Sequence, residues 1–445
     1  MNKSPHRDLR LIVPAILLSL ANLLPHHTGA QNGMELTAQQ AVALALENNH
    51  GIRLARLDAE VAEILNTPGE AGMLPIIGID GSYNINNAAT RQEFFTGEVR
   101  ETSNANVRAL DVGLGAEWTI FDGLTMFATR ERLAALEMIG RTELKLRIET
   151  TIHDVLSSYY LTVQLQKAIQ VQQEGIRITR ERLAIAEAGE RIGSASGLAV
   201  VQARLDLSAD SAAVLEMTAQ AAMAENQLNM LLGQPPGTPI VSLDTIPPAE
   251  ELDLGTIQQM ARTNNTSLLQ MEQLQLTNEI AVRELRGALL PRVSVYGDYG
   301  FTRSTSDVGF LQSNRSLGPE YGARLSIPLF NGGRANRAMR VARSRQEQAA
   351  LSTDEMRLLL EQWILDGWTE YTVARQRVAL EEANLRGTRQ QVDVALESYR
   401  IGMLTAVELR EVQQGHVDAE NRLLLARYEA KMAELRLKMF AGRLV

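Results

Sequence analysis

The 445-residue chain contains no cysteine. That excludes a disulfide framework, a thiolate metal site and a lipid-bearing cysteine behind a leader. Histidine is scarce, with six in all. His6, His26 and His27 fall in the leader, and His50, His153 and His416 lie far apart without ligand spacing. A nucleophile elbow, a phosphate-binding Walker loop and a dinucleotide fingerprint are all missing. No acid, base or nucleophile constellation marks an enzyme, and no cofactor or metal is expected. The formal net charge of −9 speaks against nucleic-acid binding. Beyond residue 30 no long uncharged apolar run occurs. If the mature chain enters a membrane, it must do so with strands.

The leader is a different matter. Lys3, Arg7 and Arg10 give a basic start, Leu11 to Leu24 is apolar, and Thr28-Gly29-Ala30 is a small-residue cleavage site before Gln31. This pattern predicts a signal peptide over residues 1–30, with a membrane anchor helix as the other use of the same segment.

Proline is thinly and unevenly spread. Past the leader it occurs at positions 68, 75, 235, 236, 239, 247, 248, 291, 319 and 328. Because proline breaks helices, its gaps map the long ones. Leu124 to Ile192 and Arg334 to Ile401 read as two helices of about 100 Å each at 1.5 Å per residue. Apolar residues follow steps of four and three, as in Leu144, Ile148, Ile152, Val155 and Tyr159, and again in Met356, Leu360, Ile364, Trp368 and Tyr371. That is a coiled-coil-like seam.

What the chain does have, it has twice. Glu35-Leu36 … Asn48-Asn49 returns as Glu251-Leu252 … Asn264-Asn265. Leu74-Pro75 returns as Leu290-Pro291, Phe121-Asp122-Gly123 as Phe330-Asn331-Gly332, Arg191-Ile192-Gly193 as Arg400-Ile401-Gly402, and Leu231-Leu232-Gly233 as Phe440-Ala441-Gly442. Two copies of one supersecondary unit lie head to tail. The first spans residues 31–233 and the second 251–445. A proline-rich segment, 234–250, joins them and is expected to pack around the waist of a helical body. In each copy a long helix pairs with two half-length helices. Those are Thr37 to Leu65 with Leu198 to Leu232, and Leu254 to Leu289 with Ala406 to Phe440. Stacked end to end, two halves match one long helix.

Between the half-helix and the long helix of each copy lie two segments of period two. Leu110, Val112, Leu114, Ala116, Trp118 and Ile120 alternate with Asp111, Gly113, Gly115, Glu117 and Thr119. Val293 to Phe301 and Tyr321 to Leu329 alternate likewise, and Ile77 to Ile85 more weakly. One apolar and one polar face is the pattern of a membrane β-barrel strand. Asp111, Glu117, Asp298 and Arg324 would then face a water-filled lumen. The stretches Asn86 to Asn106 and Thr302 to Gly318 read as exposed polar loops. Four strands cannot close a barrel, and an open edge in lipid leaves backbone groups unpaired. The chain must oligomerise.

With its duplication, Leu-Pro strand starts, Phe-Asp-Gly and Phe-Asn-Gly-Gly turns and Arg-Ile-Gly tips, the chain resembles the TolC family of outer-membrane channels. The resemblance runs from about Met34 to Gly442. It implies a mixed α/β membrane protein, a homotrimer with one shared twelve-stranded barrel set in outer-membrane lipid and a long periplasmic α-helical barrel. It implies an exit duct of a tripartite efflux pump or of type I secretion in a Gram-negative bacterium. The partners would be a periplasmic adaptor (membrane fusion protein) and an RND or ABC transporter of the inner membrane. The competing class is a secreted periplasmic coiled-coil scaffold or adaptor, for which period-two segments of membrane length have no use.

The resemblance also carries candidate residues. Phe121, Asp122 and Gly123, with Phe330, Asn331 and Gly332, are strand-to-helix turns, in which Asp or Asn suits an N-cap. Ile192, Gly193 and Ser194, with Ile401, Gly402 and Thr405, form the hairpin tips that would receive the adaptor. Glu408 and Glu411 share a helix face and match a carboxylate ring at the inner mouth, where aspartate is commoner. Tyr399 matches a tyrosine of the closing network, while Leu404 stands where a basic tether is often found.

Overall fold

The computed structural model describes residues 34–309 and 311–444. The signal peptide expected over residues 1–30 lies outside them. In chain order the elements are β1 (Met34–Leu36), α1 (Ala38–Asn48), α2 (His50–Leu65), β2 (Ile76–Glu93), β3 (Val99–Phe121), α3 (Thr125–Arg191) and α4 (Gly197–Leu231). Then follow β4 (Ile240–Ser242), α5 (Leu254–Asn264), α6 (Thr266–Gly287), β5 (Arg292–Ser306), β6 (Ser313–Ser326), α7 (Arg334–Arg400) and α8 (Ala406–Phe440). No helix among the described residues is long and apolar enough to cross a membrane.

α3 and α7 each run 67 residues, about 100 Å. Each packs along its return helix, α4 or α8, and along the half-helix before it, α2 or α6. α6 also packs on α3, which joins the two copies.

The half-helices are not single helices as expected. Asn49 leaves helical geometry between α1 and α2, and Asn265 between α5 and α6. The reason is the duplicated asparagine. Asn49 Oδ1 accepts from Gly51 N at 2.9 Å, capping α2, while its Nδ2 donates to Leu231 O at 2.8 Å. Asn265 accepts from Leu268 N at 2.9 Å and donates to Phe440 O at 3.0 Å. Each side chain thus starts one half-helix and satisfies the end of the other. The glycine that closes each return helix completes the joint. A Cβ at Gly233 would lie 2.5 Å from Asn48 O, and one at Gly442 would lie 2.5 Å from Asn264 O.

The proline-rich segment packs against the middle of α3 and of α7, at Tyr159 and Tyr371. Within it β4 pairs in parallel with β1. The buried Tyr159 hydroxyl donates to Leu36 O at 2.8 Å and to Asp244 at 3.1 Å. The fully buried Glu434 accepts from Glu250 N at 3.0 Å, Lys431 at 2.9 Å and Lys438 at 2.6 Å. A buried carboxylate is tolerated there because two ammonium groups and an amide surround it.

The four long strands form one antiparallel sheet in the order β2-β3-β5-β6. Their polar faces coincide across the sheet: Asp111 stands opposite Ser82 and Thr302, and Asp298 opposite Gly115 and Glu320. The apolar face carries Ile77, Ala116, Gly297 and Tyr321 in one row and Ile79, Leu114, Tyr299 and Pro319 in the next. Ile77, Ile79, Leu114, Tyr299, Tyr321 and Leu325 are all exposed on it.

Two expectations about the strands are corrected. The stretches read as loops are mostly strand: β2 and β3 continue until only residues 94–98 separate them, and β5 and β6 leave only 307–312. Polar residues there report contact with water, not loss of pairing, since an extended hairpin keeps its backbone groups bonded in water as in lipid. At the other end, β6 stops at Ser326 rather than Leu329, just ahead of Pro328.

Candidate functional site

At the strand-to-helix turns, Phe121 ends β3 and Phe330 is fully exposed. Asp122 and Asn331 are not the N-cap residues themselves, a correction to the sequence reading. Leu124 and Gly333 occupy those positions in left-handed geometry, with φ of 70° and 73°. The carboxylate and amide still accept from the first helical turn. Asp122 takes Met126 N at 2.9 Å and Asn331 takes Ala335 N at 3.3 Å. Two left-handed residues in succession push the acidic cap two places upstream.

Both hairpin tips end in the same motif. Gly193 N donates to Glu190 O at 3.1 Å and Ser194 N to Gly189 O at 2.8 Å. Gly402 N donates to Tyr399 O at 3.0 Å and Met403 N to Ser398 O at 2.8 Å. These are Schellman caps, with each glycine at φ 76° and open space beside it. Past each cap the return helix is capped by a hydroxyl, that of Ser196 or Thr405. The tips present apolar side chains to solvent: Ile192, Leu198, Ile401, Met403 and Val407 are each at least 70% exposed.

The three gate candidates do not come together. Glu408 closes a capping box, its Oε2 accepting from Thr405 N at 2.8 Å and Thr405 Oγ1 at 2.6 Å. Those bonds, side chain first, hold its carboxyl below the usual carboxylate range. Glu411 is exposed on the next turn. Tyr399 lines a cavity of about 370 Å³ with Arg182, Asp206, Val407 and Arg410, and burial raises its hydroxyl.

Around that cavity lies a polar cluster that the sequence reading passed over. Arg410, on α8, meets Asp210, on α4, through Nη1 at 2.7 Å and Nη2 at 2.6 Å. Asp210 also accepts from Thr179 of α3 at 2.8 Å, and Gln413 Nε2 donates to that hydroxyl at 2.8 Å. Arg182, only 2% exposed, donates to Asp206 and, at 3.3 Å, to Ala406 O. Burial alone would raise the Asp210 carboxyl, but the bonds from Arg410 and Thr179 outweigh it and hold it low. The cluster ties three helices from both copies together just inside the tips. Among the described residues no group of metal-ligating side chains occurs.

The chain matches the outer membrane efflux protein family over residues 41–234 and 257–443, one stretch in each half. It belongs to that family. The outer membrane efflux protein BepC of Brucella suis is 23% identical over 443 residues, covering 98% of this chain and 90% of the relative. The cation efflux system protein CusC of Escherichia coli K12 is 21% identical, covering 90% and 85%. Among solved structures, the Campylobacter jejuni CmeC outer membrane channel superposes with a TM-score of 0.78 at 18% identity, covering 91% of this chain and 85% of that one. The efflux family sets aside the scaffold alternative. The protein is an outer-membrane efflux channel of a Gram-negative bacterium, with its long helices in the periplasm, and family members are channels rather than enzymes.

Proposed function

We propose that three copies of the chain close their sheets into one twelve-stranded barrel through the outer membrane, and their helices into one duct beneath it. Residues 31–233 and 251–445 then act as six equivalent staves around the axis. The observation that carries this is the sheet itself, whose edges β2 and β6 have no partner strand among the described residues while one face is apolar from the row of Val293 and Leu325 to that of Phe301 and Leu317. In lipid such edges must pair, and only further copies offer a matching strand.

The tips receive the periplasmic adaptor of a tripartite assembly, whose RND or ABC transporter supplies the energy. Ile192, Leu198, Ile401, Met403 and Val407 form the exposed apolar ends that such a partner would cover. The cluster of Arg410 and Asp210, with Tyr399 beside it, narrows the inner mouth, and Glu408 and Glu411 set its charge.

Export by a strain that depends on this channel tests the assignment. Ile192→Glu with Ile401→Glu changes two exposed positions at no cost to the core. Export should fall to the level of the deletion strain while heat-modifiable trimers persist in the outer-membrane fraction. Full export by this variant would remove the tips as the docking surface. A water-soluble monomer in the wild type would remove the channel itself.

A further inference from the structure

Register places three arginines on the apolar face of the sheet, where charge is least expected. On β5 and β6, Arg303 stands directly opposite Arg315, and Leu110 and Tyr83 complete that row. In the next row out, Arg108 of β3 stands opposite Thr305 and Ile85. All three arginines are exposed. Like charges directly across a ladder repel, so an unneutralised Arg303 and Arg315 pair works against the sheet.

The other arginines of the sheet are provided for. Farther out, Arg91 pairs with Glu101 at 3.0 Å and Arg100 with Glu98 at 3.3 Å. On the opposite, polar face Arg292 donates to Thr119 at 2.8 Å and Arg324 lies over the Tyr296 ring at 5.4 Å. Arg303 and Arg315 have no ion pair among the described residues, and Arg108 has only Asn106 Oδ1 at 3.2 Å. Asp307, just past the end of β5, donates its amide to Asn106 O at 3.1 Å and joins no ion pair among the described residues.

The height of these rows is informative. The row of Phe121, Val293 and Leu325 is the last apolar one toward the helices, and Trp118 stands in the next row out, its indole nitrogen donating to Met73 O at 2.9 Å. From Val293 to Arg303 is ten residues along β5, about 34 Å of strand and about 25 Å along the membrane normal at a tilt near 40°, and Arg108 lies one row further out. The arginines therefore sit where the hydrocarbon ends and the outer leaflet's headgroups begin, facing lipid rather than lumen.

We propose that Arg108, Arg303 and Arg315 form an outward collar that binds the phosphates of outer-leaflet lipid A headgroups. Guanidinium groups fit phosphate bidentately, and one phosphate between Arg303 and Arg315 converts their repulsion into two charge-assisted contacts. The collar rests on the barrel reading above, because only a barrel turns this face to the lipid.

The probe is bisphosphorylated lipid A, compared with the same lipid stripped of its phosphates, both offered to the detergent-purified channel and read by native mass spectrometry. The wild type should hold the phosphorylated form about tenfold more tightly, or better. Arg108→Gln with Arg303→Gln and Arg315→Gln should erase that preference, while Arg324→Gln, which loses the same charge on the polar face, should keep it. Equal binding of the two lipids by wild-type trimers, or an undiminished preference in the triple variant, overturns the collar. So does displacement of the lipid by millimolar inorganic phosphate, which would put the ligand in solution. A soluble monomer would instead defeat the barrel on which the collar depends.

Discussion

Removing the Arg410 guanidinium is the sharpest perturbation the structure offers. Arg410→Gln leaves the Asp210 carboxylate, 4% exposed, with Thr179 as its remaining close donor. Breaking a buried ion pair by deleting one partner costs about 3–5 kcal/mol. Since the Arg410 side chain is itself 24% exposed, the lower end applies, about 3 kcal/mol, or roughly a hundredfold in an equilibrium. The bond spans α4 and α8, which line the inner mouth in the duct proposed above, so that energy opposes their separation. Arg410→Gln should lower the melting point of the purified channel and raise its single-channel conductance in planar bilayers. Arg410→Lys should fall between, because an ammonium cannot engage both carboxylate oxygens. Exchanging the charges, Asp210→Arg with Arg410→Asp, should recover part of the loss.

The same pair fixes a pH dependence. The folded Asp210 carboxyl is held below its ordinary value. Its contribution is therefore complete above the unfolded value, near pH 4, and is lost only as pH falls through the lower folded value. Wild-type conductance should stay flat from about pH 8 to 5 and rise only below about 4. Unchanged conductance and melting in Arg410→Gln, or wild-type opening near pH 6, would refute the assignment of this pair as a lock.

The joints and turns give two further expectations. Gly233→Ala, with φ at 70° and a new methyl 2.5 Å from Asn48 O, should cost more than about 2 kcal/mol; Gly237→Ala, at φ 84° in open space, should cost about half that, and equal melting points for the two would show that the joint is slack. Gly332→Ala should lower the temperature at which trimers dissociate on a gel by more than Gly333→Ala does, since both carry similar backbone strain (φ 67° and 73°) but only Gly332 is expected to face a neighbouring copy; identical shifts would deny that contact.

Much of this architecture is legible in the residues because its signals are local and repeated. Alternation from Leu110 to Thr119 places those side chains on their correct faces, until a bulge between Thr119 and Phe121 puts Phe121 rather than Ile120 opposite Val293, and the absence of proline from Ile76 to Gln234 exposes α3. The breaks at Asn49 and Asn265 were legible too, as a doubled asparagine, but a helix pattern resuming one residue later hides a single non-helical ψ. Asn86 and Asn106 were read as loop because polarity distinguishes water from lipid and not strand from coil. The lock escaped for a different reason. Arg410 lies between the two carboxylates Glu408 and Glu411 in sequence, but its partner lies 200 positions away on α4. It joins the equivalent return helices of the two copies at inequivalent positions (the 209-residue shift puts Val201 where Arg410 stands and Ala419 where Asp210 stands), so the duplication gives no hint of it. Ion pairs across long sequence separations leave no periodic trace.

The duplication also shows where the chain is incomplete. Gly123 and Gly332 are equivalent turns, 209 residues apart, yet their surroundings differ. A Cβ at Gly123 would lie 2.1 Å from Gly287 O and 2.6 Å from the Leu290 Cβ, because the end of α6 presses on the turn. At Gly332 nothing stands within 4 Å. The element that follows the first copy's turn in space belongs to the second copy. For the second copy the equivalent element is the end of α2 and the segment from Ala71 to Leu74, and within one chain it is already spent beside α3. Ala71 is buried and Leu74 half exposed, as an unfinished joint would have them. A glycine kept at left-handed φ in empty space is therefore best understood as one half of a contact. In the trimer proposed above, its other half comes from the next protomer, in the same sense around the ring that β3 meets β5.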